Sequence, residues 1–104
     1  MPNLLHWQSL SLAEQMGNIG SEVHRAIRWH QQNDQARWEK AFDRALELLD
    51  LTIADQRWNT GRRELTRSRE VFCSLFFPTD QFVVTSDNME KYFDQFALAA
   101  RLKR

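Results

Sequence analysis

Apolar residues return every third or fourth position along most of this chain, and that pattern predicts four helices. Ser11-Leu12-Ala13-Glu14 forms a capping box, in which the serine hydroxyl and the glutamate carboxylate each reach for an orphan backbone donor. From there Leu12, Met16, Ile19, Val23, Ile27 and His30 fall on one stripe, giving a first helix over about 12–32. Gly17 and Gly20 each cost this helix about 1 kcal/mol relative to alanine, unless a neighbour comes close there. Asn33 or Asp34 is the next N-cap. Trp38, Phe42, Ala45, Leu49 and Ile53 mark the broad buried face of a second helix, 35–58. Asn59-Thr60-Gly61 stops it, with Gly61 suited to a left-handed turn. A third helix, 62–76, must end before Pro78, because proline disfavours helical geometry in the residue before it. Asp87-Asn88-Met89-Glu90 repeats the capping logic, and Met89, Phe93, Phe96 and Ala100 stripe a fourth helix over 87–102.

The rest of the chain is less regular. Residues 1–10 show no periodicity and read as an N-terminal arm, in which Leu4, Leu5 and Trp7 supply apolar surface. Gln81-Phe82-Val83-Val84-Thr85 is β-prone but too short and unpartnered to make a sheet. Short first and second connections force antiparallel neighbours. The expected fold is therefore all-α, an up-down-up-down four-helix bundle in one domain spanning 1–104. Three glycines and two prolines are too few for a turn-rich β fold. A chain of 104 residues buries roughly two-thirds of its unfolded surface, enough for one core without staples.

Charge adds an asymmetry that the helix pattern lacks. Fourteen basic and fourteen acidic side chains cancel, so no general attraction to nucleic acid or anionic lipid is expected. Yet Asp34 to Asp55 holds six acids against three bases, whereas Arg57 to Arg69 holds five arginines against Glu64. An acidic second helix and a basic third helix favour each other as neighbours. No apolar run approaches the ~18 residues of a membrane span, and no basic-then-apolar leader opens the chain. Cys73 is the only cysteine, which excludes an internal disulfide. These features read as a cytoplasmic protein with no membrane partner.

Most catalytic and metal-binding patterns are missing. The residues three before His6, His24 and His30 are Asn3, Ser21 and Ile27, so no Glu-x-x-His pair of the di-iron kind is formed, and the expectation is no metal and no cofactor. No glycine-rich phosphate loop or serine nucleophile motif is found. Cys73 reads as a small, partly buried residue and His30 as a helix-end imidazole.

What remains is the arginine-rich stretch Arg62-Arg63-Glu64-Leu65-Thr66-Arg67-Ser68-Arg69. On a helix, Arg69 falls between Leu65, Phe72 and Phe76 at the edge of the apolar face, where a guanidinium needs a carboxylate, a ligand or water. Glu22 and Asp55 border apolar faces of the first and second helices and are its expected internal partners. The stretch Arg69-Glu70-Val71-Phe72-Cys73-Ser74-Leu75-Phe76 resembles the signature of HEPN domains, an Arg followed four to six residues later by His on one helix. HEPN domains are small prokaryotic helical bundles that often act as ribonucleases and pair with antitoxin or nucleotidyltransferase partners. Ser74 stands where the histidine belongs, and a serine cannot move the protons that attack on a phosphodiester requires at neutral pH. The resemblance therefore implies a catalytically degenerate relative, binding nucleic acid through Arg62, Arg63, Arg67 and Arg69. A small anionic ligand held by Arg69 is a further alternative.

Surplus apolar residues point to the leading expectation. Trp29 lies at the margin of the first helix's face, Leu51 and Trp58 fall on the polar side of the second, and Leu98 and Leu102 form a line behind the fourth. Tryptophan with arginine is the composition of interface anchors. These five residues are the expected interface of a non-enzymatic module that self-associates as a two-fold homodimer and binds a protein partner, with nucleic acid the less favoured partner.

Overall fold

The computed structural model describes residues 4–77 and 85–102, and its regular secondary structure is entirely helical. Five α-helices follow in order: α1 (Leu4–Ser9), α2 (Leu12–Gln31), α3 (Gln35–Ala54), α4 (Arg62–Ser74) and α5 (Ser86–Leu102). A 3-10 segment, Gln56–Gly61, joins α3 to α4. The arm thus contains a helix of its own, and Trp7 on it is buried. Most of the β-prone stretch, 81–84, lies outside the described residues.

Local chemistry sets the boundaries. The capping box at Ser11 and Glu14 is formed in both directions, at 3.1 and 3.0 Å. Asn33 takes the left-handed conformation, φ 59°, that turns the chain back. Asp34 then caps α3 by accepting from the Arg37 N–H. The second helix does not reach Trp58. Asp55 ends it at Ala54 and starts the 3-10 segment by accepting from the Arg57 N–H at 3.0 Å. Gly61 keeps a negative φ of −98° and leads directly into α4, so the left-handed turn expected there is absent. Thr85, rather than Asp87, caps α5, its hydroxyl accepting from the Asn88 N–H at 3.1 Å.

α2 is the central element. It packs against α3 on one side and α5 on the other, while α4 packs against α3. Met16, Ile19, Val23, Ala45, Leu49, Phe72 and Phe93 fill the core. At one end the core becomes aromatic: Trp38 stacks on Phe42 at 5.1 Å, Phe42 on Phe72 at 5.5 Å, and Phe76 meets all three rings edge-on. His30 closes this end, its ring 4.9 Å from that of Phe76. The Trp38 indole N–H is buried and finds no partner among the described residues.

The two glycines of α2 mark where α5 comes close. A Cβ on Gly20 would sit 2.8 Å from Cβ of Phe93, and one on Gly17 would sit 3.4 Å from Cα of Ala97. The helix-propensity cost of glycine is thus offset by a close crossing with α5.

Candidate functional site

Arg69, on the inner edge of α4, finds its carboxylate within the chain. Its Nε donates to Asp50 Oδ1 of α3 at 2.8 Å. The partner is therefore neither Glu22 nor Asp55. Glu22, nearly buried on α2, accepts from Arg25 and lies 3.7 Å from Arg44. Asp55 is taken by Arg57. Charge segregation foretold that α3 and α4 would pair, but the bond runs between half-exposed groups at the seam instead of reaching into the core.

The other α4 arginines are placed differently. Arg62 donates from Nε to the Ile53 carbonyl and from Nη2 to Asn59 Oδ1, so it closes the 3-10 corner. Arg63 and Arg67 are exposed and border a shallow surface depression with Thr66 and Glu70. Ser74, at the position of the HEPN histidine, donates to the Val71 carbonyl of its own helix. Cys73 is half-buried, and burial raises its thiol pKa against the opposing pull of Arg69, so it is a poor nucleophile.

A buried polar network that periodicity did not reveal lies at the end of α3. Gln15, fully buried on α2, donates from Nε2 to the Trp7 carbonyl at 2.8 Å and approaches Asp55 Oδ2 at 3.5 Å. Its Oε1 accepts from the Trp58 indole at 3.0 Å. The Trp7 indole donates to Thr52 Oγ1, which itself donates to the Leu48 carbonyl. Arg57 grips Asp55 through Nε and Nη2, and the same Nη2 donates to the Leu10 carbonyl. Hydrogen bonding from Arg57 outweighs burial and lowers the Asp55 pKa from the ordinary 3.8 to about 2. Every polar side chain of this network is answered internally, so it serves to anchor α1 and the 3-10 corner. Sequence offered one signal: a glutamine on the Leu12–Met16–Ile19 side of an apolar helix.

Of the five expected interface residues, three are used inside the molecule. Trp58 and Leu51 are half-buried and pack against the core, and the Arg57 guanidinium covers the Trp58 ring at 4.5 Å. Trp29 also packs on the core, with Arg37 4.6 Å above its ring. Leu98 and Leu102 remain outside, 50 % and 75 % exposed, one turn apart on α5. Leu4 and Leu5 on α1 are exposed as well. The α1–α2 junction and the end of α5 meet at a groove of about 450 Å³ lined by Leu10, Gly17, Ala97 and Ala100 and by the polar Glu14, Asn18 and Arg101.

α5 is also tied to α2 through a histidine. The His24 ring lies between two carboxylates one turn apart on α5, with Nδ1 2.6 Å from Glu90 Oε2 and Nε2 2.9 Å from Asp94 Oδ1. Among the described residues no group of three or more His, Cys, Asp or Glu side chains is arranged to hold a metal ion. Nor is any helix of those residues long and apolar enough to cross a membrane. Compared with protein-family models, with curated proteins and with solved structures, the chain matches none.

Proposed function

We propose that this protein is a cytoplasmic, non-enzymatic interaction module that self-associates through the outer face of α5. In this reading α2, α3, α4 and α5 form an up-down-up-down bundle whose last helix presents its far side to a second copy. The observation that carries the proposal is the Leu98–Leu102 pair, exposed on the face turned away from the Phe93 and Ala97 contact with α2.

The charge order along α5 favours a second copy as occupant. Asp87, Lys91, Leu98 and Leu102 share the outer face, with Asp94, which also holds His24 of α2, and Arg101 at its edges. An antiparallel pair of α5 helices related by a two-fold axis sets Leu98 beside Leu98 of the second copy. It also brings Asp94 toward Arg101 of the other chain, and the reverse. Zero net charge means that two copies meet without overall repulsion.

Sedimentation velocity tests this directly. The expected result is a dimer at about 100 μM, a concentration that detects association down to modest affinity. Leu98→Glu with Leu102→Glu should give a monomer with unchanged helical content, because neither side chain supports the core. A wild-type protein that stays monomeric overturns the proposal. Salt-sensitive RNA binding by that monomer, abolished by Arg63→Ala and Arg67→Ala, would place it with the degenerate HEPN-like reading instead.

A further inference from the structure

α5 leans on α2 and α4 leans on α3, and the space between α4 and α5 is left partly open. A crevice of about 250 Å³ lies there. Clefts for drug-sized ligands run from roughly 300 to 1,000 Å³, so this one suits something smaller. Its walls are chemically divided. Val71 of α4 and Met89 of α5 are apolar, and Met89 is buried. The Tyr92 ring forms a fixed side wall, held edge-on by Phe93 at 5.2 Å and Phe96 at 5.4 Å.

The polar side carries both signs of charge. Glu64 and Arg67 stand three residues apart on α4 at the mouth of the crevice. The Tyr92 hydroxyl donates to Glu64 Oε1 at 3.5 Å and lies 3.0 Å from the hydroxyl of Ser68, which is buried beneath it. Burial raises the Tyr92 pKa, so the phenol keeps its proton at neutral pH and continues to steer the carboxylate. A lone anion would meet Glu64, and a lone cation would meet Arg67. A molecule carrying both charges on one carbon, with an apolar tail, matches Glu64, Arg67 and the apolar walls, with Asn88 of α5 beside them.

We propose that the α4–α5 crevice is a binding site for a small zwitterion with an apolar side chain, a free aliphatic α-amino acid. Its ammonium group faces Glu64, its carboxylate faces Arg67, and its side chain lies on Val71 and Met89. This site is separate from the outer face of α5, since Tyr92 and Met89 lie on the inner side of that helix.

Isothermal titration of the full chain with L-leucine, N-acetyl-L-leucine, L-leucinamide and isopentyl alcohol tests it. L-leucine should bind, and each compound lacking one charge should bind about tenfold more weakly, the loss of one charged hydrogen bond. Glu64→Gln should erase the preference for L-leucine over N-acetyl-L-leucine while keeping the preference over L-leucinamide. Arg67→Gln should do the reverse. Both positions are exposed, so neither change threatens folding. Val71→Phe should fill the floor and abolish binding, and if that variant does not fold the two charge variants still decide. No heat from L-leucine overturns the proposal, as does equal binding of L-leucine and isopentyl alcohol, which would mean an apolar cleft without charge recognition.

Discussion

The two ends of the α2–α3 pair are held by opposite chemistry. Where α2 ends and α3 begins, rings do the work: His30, Trp38, Phe42, Phe72 and Phe76 interlock with little hydrogen bonding, and one buried indole N–H has no partner among the described residues. Where α2 begins and α3 ends, Gln15, Thr52, Asp55, Arg57 and Trp58 form a polar network in which each group has a directional partner. The aromatic end tolerates no cavity and is held by packing. The polar end is sensitive to the loss of any one member and responds to acid. One small fold therefore draws on packing and on hydrogen bonding at separate places.

The largest expected effect comes from the aromatic end. Phe72 has no exposed surface, so Phe72→Ala should cost about 3–5 kcal/mol in denaturant unfolding. Asp55→Ala should cost about 2 kcal/mol, because it removes the side chain that caps the 3-10 corner and that Arg57 grips. If Asp55→Ala is nearly silent, the polar end is decoration and the contrast fails.

Gly20→Ala comes next. The added methyl meets Cβ of the buried Phe93 at 2.8 Å, which has no free end to swing aside, so a loss of about 1–3 kcal/mol is expected. Gly17→Ala at 3.4 Å should be neutral or gain up to about 1 kcal/mol from helix propensity. Thermal melts of the two variants measure the difference.

Acid separates the ends within one molecule. Asp55 has a folded pKa of about 2 against an unfolded value of 3.8, so its share of stability is present above pH about 4 and is lost as pH falls through about 2. Amide exchange at falling pH should show α1 and the 3-10 corner opening before the turns around Phe42 and Phe72. Smallest of all is Arg69→Ala, expected to cost under about 1 kcal/mol in denaturant unfolding, because its Asp50 partner is more than half exposed.

The contrast also explains what was legible in the sequence. Core stripes follow a period of 3.6, so Met16, Ile19, Val23, Leu49, Phe72 and Phe93 could be read as core directly, and all are buried. The charge imbalance between residues 34–55 and 57–69 anticipated that α3 and α4 would be neighbours. The polar end leaves no periodic trace. Between Ala54 and Leu65 the only apolar residue is Trp58, so the pattern carries no marker that Asp55 ends the helix and draws Trp58 inward. Capping is decided by one side chain and one N–H, and several nearby residues compete for it, as Thr85 shows by displacing Asp87. For the same reason Trp58 was expected on the surface, whereas Leu98 and Leu102, on an uninterrupted helix, were placed outside and are outside. Arg69 reads as a cation near the core, but its register alone does not distinguish Asp50 from Asp55.

The four tryptophans turn this division into an optical one. Trp38 sits in an aromatic nest, finds no hydrogen-bond partner among the described residues, and should emit furthest to the blue. Trp7 and Trp58 each donate to a polar partner, and Trp58 and Trp29 lie beneath guanidinium groups. Light from a single folded chain is thus already sorted by location. With Trp29 and Trp38 replaced by phenylalanine, the remaining emission reports only the corner that Asp55 holds shut.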